Sequence, residues 1–169
     1  MTGAPPSGRI ENLTLRPIGV IHTGLQAPTP EPGPPLTPDE LRARMGGPAA
    51  GRERGRVEVF EEFAAGLADV EDCEQLYLFF RLHQSTPPRD LAPFISPPRG
   101  IFATHSPSRP NPLGLTVVRL IDRQGRILIV EGVDMYDDTP LLDIKPYMEH
   151  GCARRDGSHT PRWAHTMSA

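Results

Sequence analysis

The chain has 169 residues, a formal net charge of -3 and an apolar fraction of 37%. That length suits one domain hiding roughly two-thirds of its unfolded surface and excludes two full-sized ones. The weakly acidic balance excludes binding driven by an overall basic charge, so any nucleic-acid contact has to be local.

Composition narrows the class further. The 21 prolines exceed the average usage of about 5% more than twofold and predict irregular stretches. Cys73 and Cys152 lie far apart, without the close spacing of metal or redox pairs, so a buried thiol and a tail thiol are expected. The first apolar run, Ile18–Ile21, is too short for a signal-peptide core, and no segment approaches the 20 or so apolar residues of a membrane span. A soluble, cytoplasmic protein is expected.

In chain order, residues 1–12 read as a mobile leader, 13–150 as the folded domain and 151–169 as a polar tail. Arg16–Thr23 predicts a first strand, with Pro17 tolerated near its start. Pro28–Pro48 carries seven prolines and reads as a long loop with a short helix at Thr37–Met45. Arg56–Phe60 alternates as a second strand, followed by a helical turn at Glu61–Leu67. Leu76–Leu82 is nearly continuously apolar, the pattern of a central strand buried on both faces. After a second proline-rich stretch, Pro87–Pro98, come strands at Gly100–Thr104, Leu113–Asp122 and Arg126–Val133, the last two joined by a turn at Gln124-Gly125. A short strand at Leu141–Lys145 completes the set. Six or seven short strands with little helix predict an all-β fold, a small single-domain barrel, and disfavour a doubly wound α/β sheet.

Two stretches carry unusual chemistry. In GIFATHSPSRPNPLGL, Gly100 to Leu115, Pro107, Pro110 and Pro112 each fix a backbone angle and extend the residue before. The loop therefore holds Thr104, Ser106, Arg109 and Asn111 with little freedom left to lose, which suits either a binding site or a stiff crossover. In DMYDDTPLLDIKPY, Asp134 to Tyr147, four carboxylates leave one strand and enter another. Asp137 and Asp138 before Thr139-Pro140 form a turn, and Asp143 and Lys145 share a strand face as an ion pair.

Together with PIGVIHT and GLADVEDCEQLYLFFRLHQ, these blocks resemble, in order, the tRNA threonylcarbamoyladenosine methyltransferase family, also called TsaA-like or YaeB/TrmO. The resemblance runs over Arg16–Met148. It implies a barrel that dimerises, binds S-adenosylmethionine near the subunit interface, and methylates the exocyclic nitrogen of threonylcarbamoyladenosine next to the anticodon. Carried over, the cofactor contacts are His83, Gln84, His105, Leu115, Asp137, Asp138, Thr139 and Pro140. Arg109 and Asn111 match the RPN element, and Asp143, Lys145 and Tyr147 the DIKPY element. Several positions depart from the pattern: Asp138 stands where a glycine is usual, His105 where arginine is common and Glu74-Gln75 where Ser-His is, and the proline-any-glutamine element is not recognisable in Ala27–Pro35.

The residue chemistry fits. Asp137 and Asp138 can accept from the ammonium of S-adenosylmethionine, while Arg109 and Asn111 can donate to its carboxylate. The acceptor nitrogen is a poor nucleophile, so a proton acceptor helps, with Asp143, Asp134 and Tyr147 as candidates. No metal is required. Lys145, Arg54 and Arg56 are candidates for holding substrate, and arginines gathered at the barrel mouth, from Arg42, Arg44, Arg52, Arg54 and Arg56, would favour an anticodon loop over a small-molecule acceptor. A metal-binding regulatory module using His150, Cys152, His159 and His165 is the third reading, although their spacing matches no zinc pattern. Nucleotide loops are excluded: no GxGxxG is present, and Gly46–Arg52 lacks the Lys-Ser/Thr ending.

Overall fold

In the computed structural model, residues 13–26, 53–85, 90–92 and 99–147 are described. Six strands close into an antiparallel barrel in the order β1-β2-β7-β6-β3-β8. They are β1 (Gly19–His22), β2 (Arg54–Val59), β3 (Gln75–Arg81), β6 (Leu113–Gln124), β7 (Ile127–Glu131) and β8 (Thr139–Pro146). A separate ribbon pairs β4 (Leu91–Ala92) with β5 (Arg99–Gly100). Each barrel strand has a partner on both sides, with the long β6 pairing β3 over Leu113–Arg119 and β7 over Arg119–Gln124.

Alternation fills the lumen. Ile21, Val57, Val59, Leu76, Leu78, Phe80, Val118, Leu128, Val130 and Leu141 are buried there, with Leu67, Val70, Val133 and Met135 completing the cluster. Gly114 lies opposite Phe80, and a Cβ at Gly114 would sit 2.1 Å from the Phe80 ring. The absent side chain is the space the ring fills. The Gln124-Gly125 turn is present, with Gly125 at a φ of 64°.

Three expectations change. The β3 segment is buried on one face only: Leu76, Leu78 and Phe80 point inward, while Tyr77 and Phe79 are half-buried on the outside. No layer of helices covers an antiparallel barrel, unlike a parallel sheet. The strand expected at Gly100–Thr104 is replaced by a 3-10 turn over Ile101–Ala103. There the Thr104 hydroxyl donates to Ile101 O at 2.9 Å, a local bond that competes with a ladder. The helical turn at Glu61–Leu67 is also 3-10. The leader, the helix expected at Thr37–Met45, Arg42, Arg44, Arg52 and the tail histidines with Cys152 lie outside the described residues.

Candidate active site at one barrel mouth

Antiparallel pairing gathers the C-terminal ends of β1, β3 and β7 and the N-terminal ends of β2, β6 and β8 at one mouth. Ile21 faces Thr139, Arg81 faces Leu113 and Arg54 faces Glu131. The residues that follow β1 and β3 and precede β8 therefore meet, although the chain separates them widely.

The acidic turn is tied to the end of β1. Thr23 N donates to Asp137 Oδ1 at 2.8 Å, Thr23 Oγ1 to Met135 O at 3.1 Å, and Asp137 N to Leu25 O at 2.8 Å. The Thr23 N–H bond, helped by the Asp138 backbone, His22 and Gln26, holds the Asp137 carboxyl below its ordinary value against partial desolvation. His22 Nδ1 lies 3.2 Å from Asp138 Oδ1 and 4.0 Å from Asp137 Oδ1. Asp138 takes a φ of 58°, a left-handed conformation that glycine accepts freely and aspartate tolerates. Among the described residues, His22, Asp137 and Asp138 are the donor set able to hold a metal ion, their ligand atoms all within 4.8 Å of one another.

His83 joins this turn to the end of β3. The Thr139 hydroxyl donates to Tyr136 O at 2.6 Å and lies 3.3 Å from His83 Nδ1. With the hydroxyl proton so committed, Nδ1 carries the imidazole proton, and Nε2 is left to accept from Gln84 Nε2 at 3.0 Å. The expected cofactor residues His83, Gln84, Asp137, Asp138 and Thr139 thus form one connected group, with Pro140 the next residue on β8.

The proline loop forms the adjoining wall. Ser106 N donates to Thr104 Oγ1 and Ser108 N to Ser106 Oγ, at 3.2 and 3.3 Å. These hydroxyls serve the loop itself. Arg109 Nη1 donates to Thr104 O at 2.8 Å, Ile101 O at 3.2 Å and Ser106 O at 3.4 Å, and its guanidinium lies 5.7 Å from the Phe102 ring centroid. The loop's stiffness therefore comes from Arg109 as well as from proline. Asn111 and His105 are exposed.

Asp134 stands between the two walls. The residue is exposed in surface area, yet neighbours crowd its carboxyl, and that desolvation raises its pKa; a bond with Thr116 and the charge of His105 oppose the rise. A crowded carboxyl beside a cleft is a recurring form of general base.

The remaining expected residues lie on the outer wall. Asp143 and Lys145 face Phe79 and Tyr77 across β3 and β8 and pair with each other at 2.9 Å. Tyr147 packs on Tyr77 with centroids 5.2 Å apart. Leu115 is exposed on β6 beside Phe79. Arg54 reaches Glu131 at 3.6 Å, and Arg56, next to it on β2, is exposed. Sequence reasoning did not single out His22, Thr116 or Phe102. His22 ends a strand and Thr116 shares the inner face of β6 with Gly114 and Val118, but only the barrel register shows what each meets.

A family model described as the tRNA-methyltransferase O N-terminal domain matches residues 44–151. The chain belongs to that family. The match covers β2 to β8, while β1 and His22 precede it. A "Probable S-adenosyl-L-methionine-binding protein" of Pyrococcus abyssi is 41% identical over 138 residues, 80% of this chain and 68% of that one. A mouse "tRNA (adenine(37)-N6)-methyltransferase" is 32% identical over 149 residues, 85% of this chain and 32% of that one. The solved "Crystal structure of TrmO from Pseudomonas aeruginosa" superposes with a TM-score of 0.65 at 28% identity, over 90% of this chain and 63% of that one. The chain thus spans about a third of the mouse relative and under two-thirds of the solved one.

Proposed function

We propose that this chain is an S-adenosylmethionine-dependent methyltransferase acting on the exocyclic nitrogen of threonylcarbamoyladenosine in tRNA near the anticodon. The observation that carries the reading is the meeting, at one mouth, of a carboxyl with a raised pKa, Asp134, and a turn bearing two carboxylates, Asp137 and Asp138.

The donor set suits the cofactor. Asp137 and Asp138 offer acceptors for an ammonium, with His22 beside them, and Asn111, Gln84 and backbone N–H groups offer donors for a carboxylate. When bound, S-adenosylmethionine supplies an electrophilic methyl group on a sulfonium. Asp134, ionised, takes the proton that the acceptor nitrogen must lose, and its crowded setting makes it a stronger base than an exposed aspartate. His83 and Thr139 orient the turn, and Arg109 fixes the loop opposite, so the larger contribution is alignment. Asp137 and Asp138 serve as ammonium acceptors in this scheme, with His22 beside them, and no metal is invoked.

Tyr77, Phe79, Leu113, Leu115 and Val117 form a continuous outer apolar face, with Leu113, Leu115 and Val117 exposed by 48, 53 and 38%. An uncovered face of this kind suits a second copy, giving a homodimer in which Asp143, Lys145, Tyr147 and Leu115 lie at the interface and border the site. Leu115→Lys with Val117→Lys should then give a monomer by sedimentation. Arg54 and Arg56, at the mouth end of β2, are placed to meet phosphate. No helix among the described residues is long and apolar enough to cross a membrane, and a tRNA substrate implies a cytoplasmic location.

Incubation with labelled S-adenosylmethionine and tRNA, with and without the threonylcarbamoyl group, tests the reading. Label is expected only on the modified tRNA. Cofactor binding without label on any tRNA would sink it in favour of a small-molecule acceptor.

A further inference from the structure

Phe102 is a large apolar side chain 77% exposed at the barrel mouth. In the same turn Ile101 is buried at 3% and Thr104 at 9%, while Gly100 and Ala103 are exposed with it. The turn that carries it is fastened three times. Thr104 N and Thr104 Oγ1 both donate to Ile101 O, at 3.2 and 2.9 Å, and Arg109 Nη1 binds the carbonyls of Ile101 and Thr104. A mobile loop could fold an aromatic ring away from water, but this one holds the ring out. The Arg109 guanidinium lies 5.7 Å from the ring centroid. Its hydrogen bonds to the described residues run through Nη1, which leaves Nη2 and Nε, among those residues, open to a phosphate. Three residues on, His105 acts electrostatically on the Asp134 carboxyl, so the ring belongs to the same wall as the proposed base.

We propose that Phe102 is a stacking platform for an unpaired nucleobase of the RNA substrate, with Arg109 beside it to meet the adjoining phosphate. A flat π surface flanked by a guanidinium is the chemistry that binds single-stranded nucleic acid without reading its sequence. The base concerned is a neighbour of the modified adenosine, turned out of the loop. The assignment rests on the tRNA reading above and adds to it the side chain that grips the substrate.

Phe102→Ala should raise the KM for tRNA by about fivefold to 150-fold, the worth of one stacked base. The affinity for S-adenosylmethionine and the sedimentation coefficient should not change. Phe102→Tyr should restore the wild-type KM, whereas Phe102→Leu, which keeps apolar area without a π face, should not. Phe102→Trp should show fluorescence quenching by an RNA hairpin with an unpaired adenine-rich loop, beyond that of the native Trp163, and none with the same sequence as a duplex. A wild type that methylates tRNA while Phe102→Ala leaves KM unchanged overturns the platform and leaves the activity standing. Dissociation of a dimer by Phe102→Ala with tRNA affinity intact overturns it too, in favour of a subunit contact. Should wild type label no tRNA, the activity fails, and the quenching decides the platform separately: quenching by the unpaired loop upholds it and its absence refutes it.

Discussion

His22 Nδ1 stands 3.2 Å from Asp138 Oδ1, joining the last residue of β1 to a turn that enters β8. Asp138 holds a left-handed φ of 58° there, so its side chain and its backbone make separate contributions. Asp138→Gly removes the carboxylate and relieves the backbone; Asp138→Ala removes it and keeps the strain without a polar side chain to offset it. Chemical denaturation should find Asp138→Ala less stable than Asp138→Gly by about 1 kcal/mol. Equal midpoints would mean that the turn relaxes out of the left-handed region.

Asp137 behaves as an acid-labile fastener. The Thr23 N–H bond holds its folded pKa below the ordinary 3.8. A depressed folded pKa gives stability that is present above the unfolded value and lost as pH falls through the folded one. Glu58, held below 4.5 first by its bond to Arg126 and then by that residue's charge, acts in the same direction. Stability measured by urea should therefore drop below pH 3.8, and Asp137→Asn should make the drop shallower. An unchanged slope would show that the bond to Thr23 does not distinguish the two protonation states.

For Asp134 the sign is opposite. Its folded pKa is raised above 3.8 by desolvation, so its contribution to stability is complete below the unfolded value and is lost as pH rises through the folded one. Asp134→Asn should thus be neutral or stabilising at pH 7, while lowering kcat by roughly 100- to 10,000-fold as a lost general base does. In wild type the rate should fall with acid through the raised value. A variant that loses stability and keeps its rate would remove Asp134 from the mechanism.

Gly114→Ala tests the lumen packing. The new methyl group would lie 2.1 Å from Phe80 Cε2 and 2.4 Å from Cζ, and the ring is enclosed by the barrel. Overpacking of this type costs about 1–3 kcal/mol. Gly114→Ala with Phe80→Leu should recover part of the loss, because the shorter side chain vacates the clash. Additive losses would place the strain in the backbone instead.

The barrel was legible because proline- or glycine-bearing stretches separate most of the strands and β-branched or aromatic residues fill most of them. The rigidity of the proline loop was legible too, since three prolines fix it. Its internal bonds were not: only coordinates show Ser106 and Ser108 buried and Arg109 gathering three carbonyls. His22 was silent because its partners are distant in sequence and no local pattern encodes the Ile21–Thr139 register. The Asp143–Lys145 pair was foreseen as two residues sharing one face, but spacing could not say which face.

That last point has its source in the irregularity of β8, where Phe79 pairs with Asp143 and Phe80 with Leu141, leaving Leu142 without an opposite number. Strand side chains alternate with a period of two, so Thr139, Leu141, Asp143 and Lys145 would otherwise share one side. The extra residue works like a frameshift: Thr139 and Leu141 read inward, and the charges after it read outward. Were Leu142 to take a regular partner, either the carboxylate and ammonium would enter an apolar lumen or Leu141 and Thr139 would leave it, whereas deleting Leu142 would remove the bulge and keep each side chain on its present face. The slip in pairing at Leu142, more than the identity of its neighbours, sets which surface each half of the strand serves.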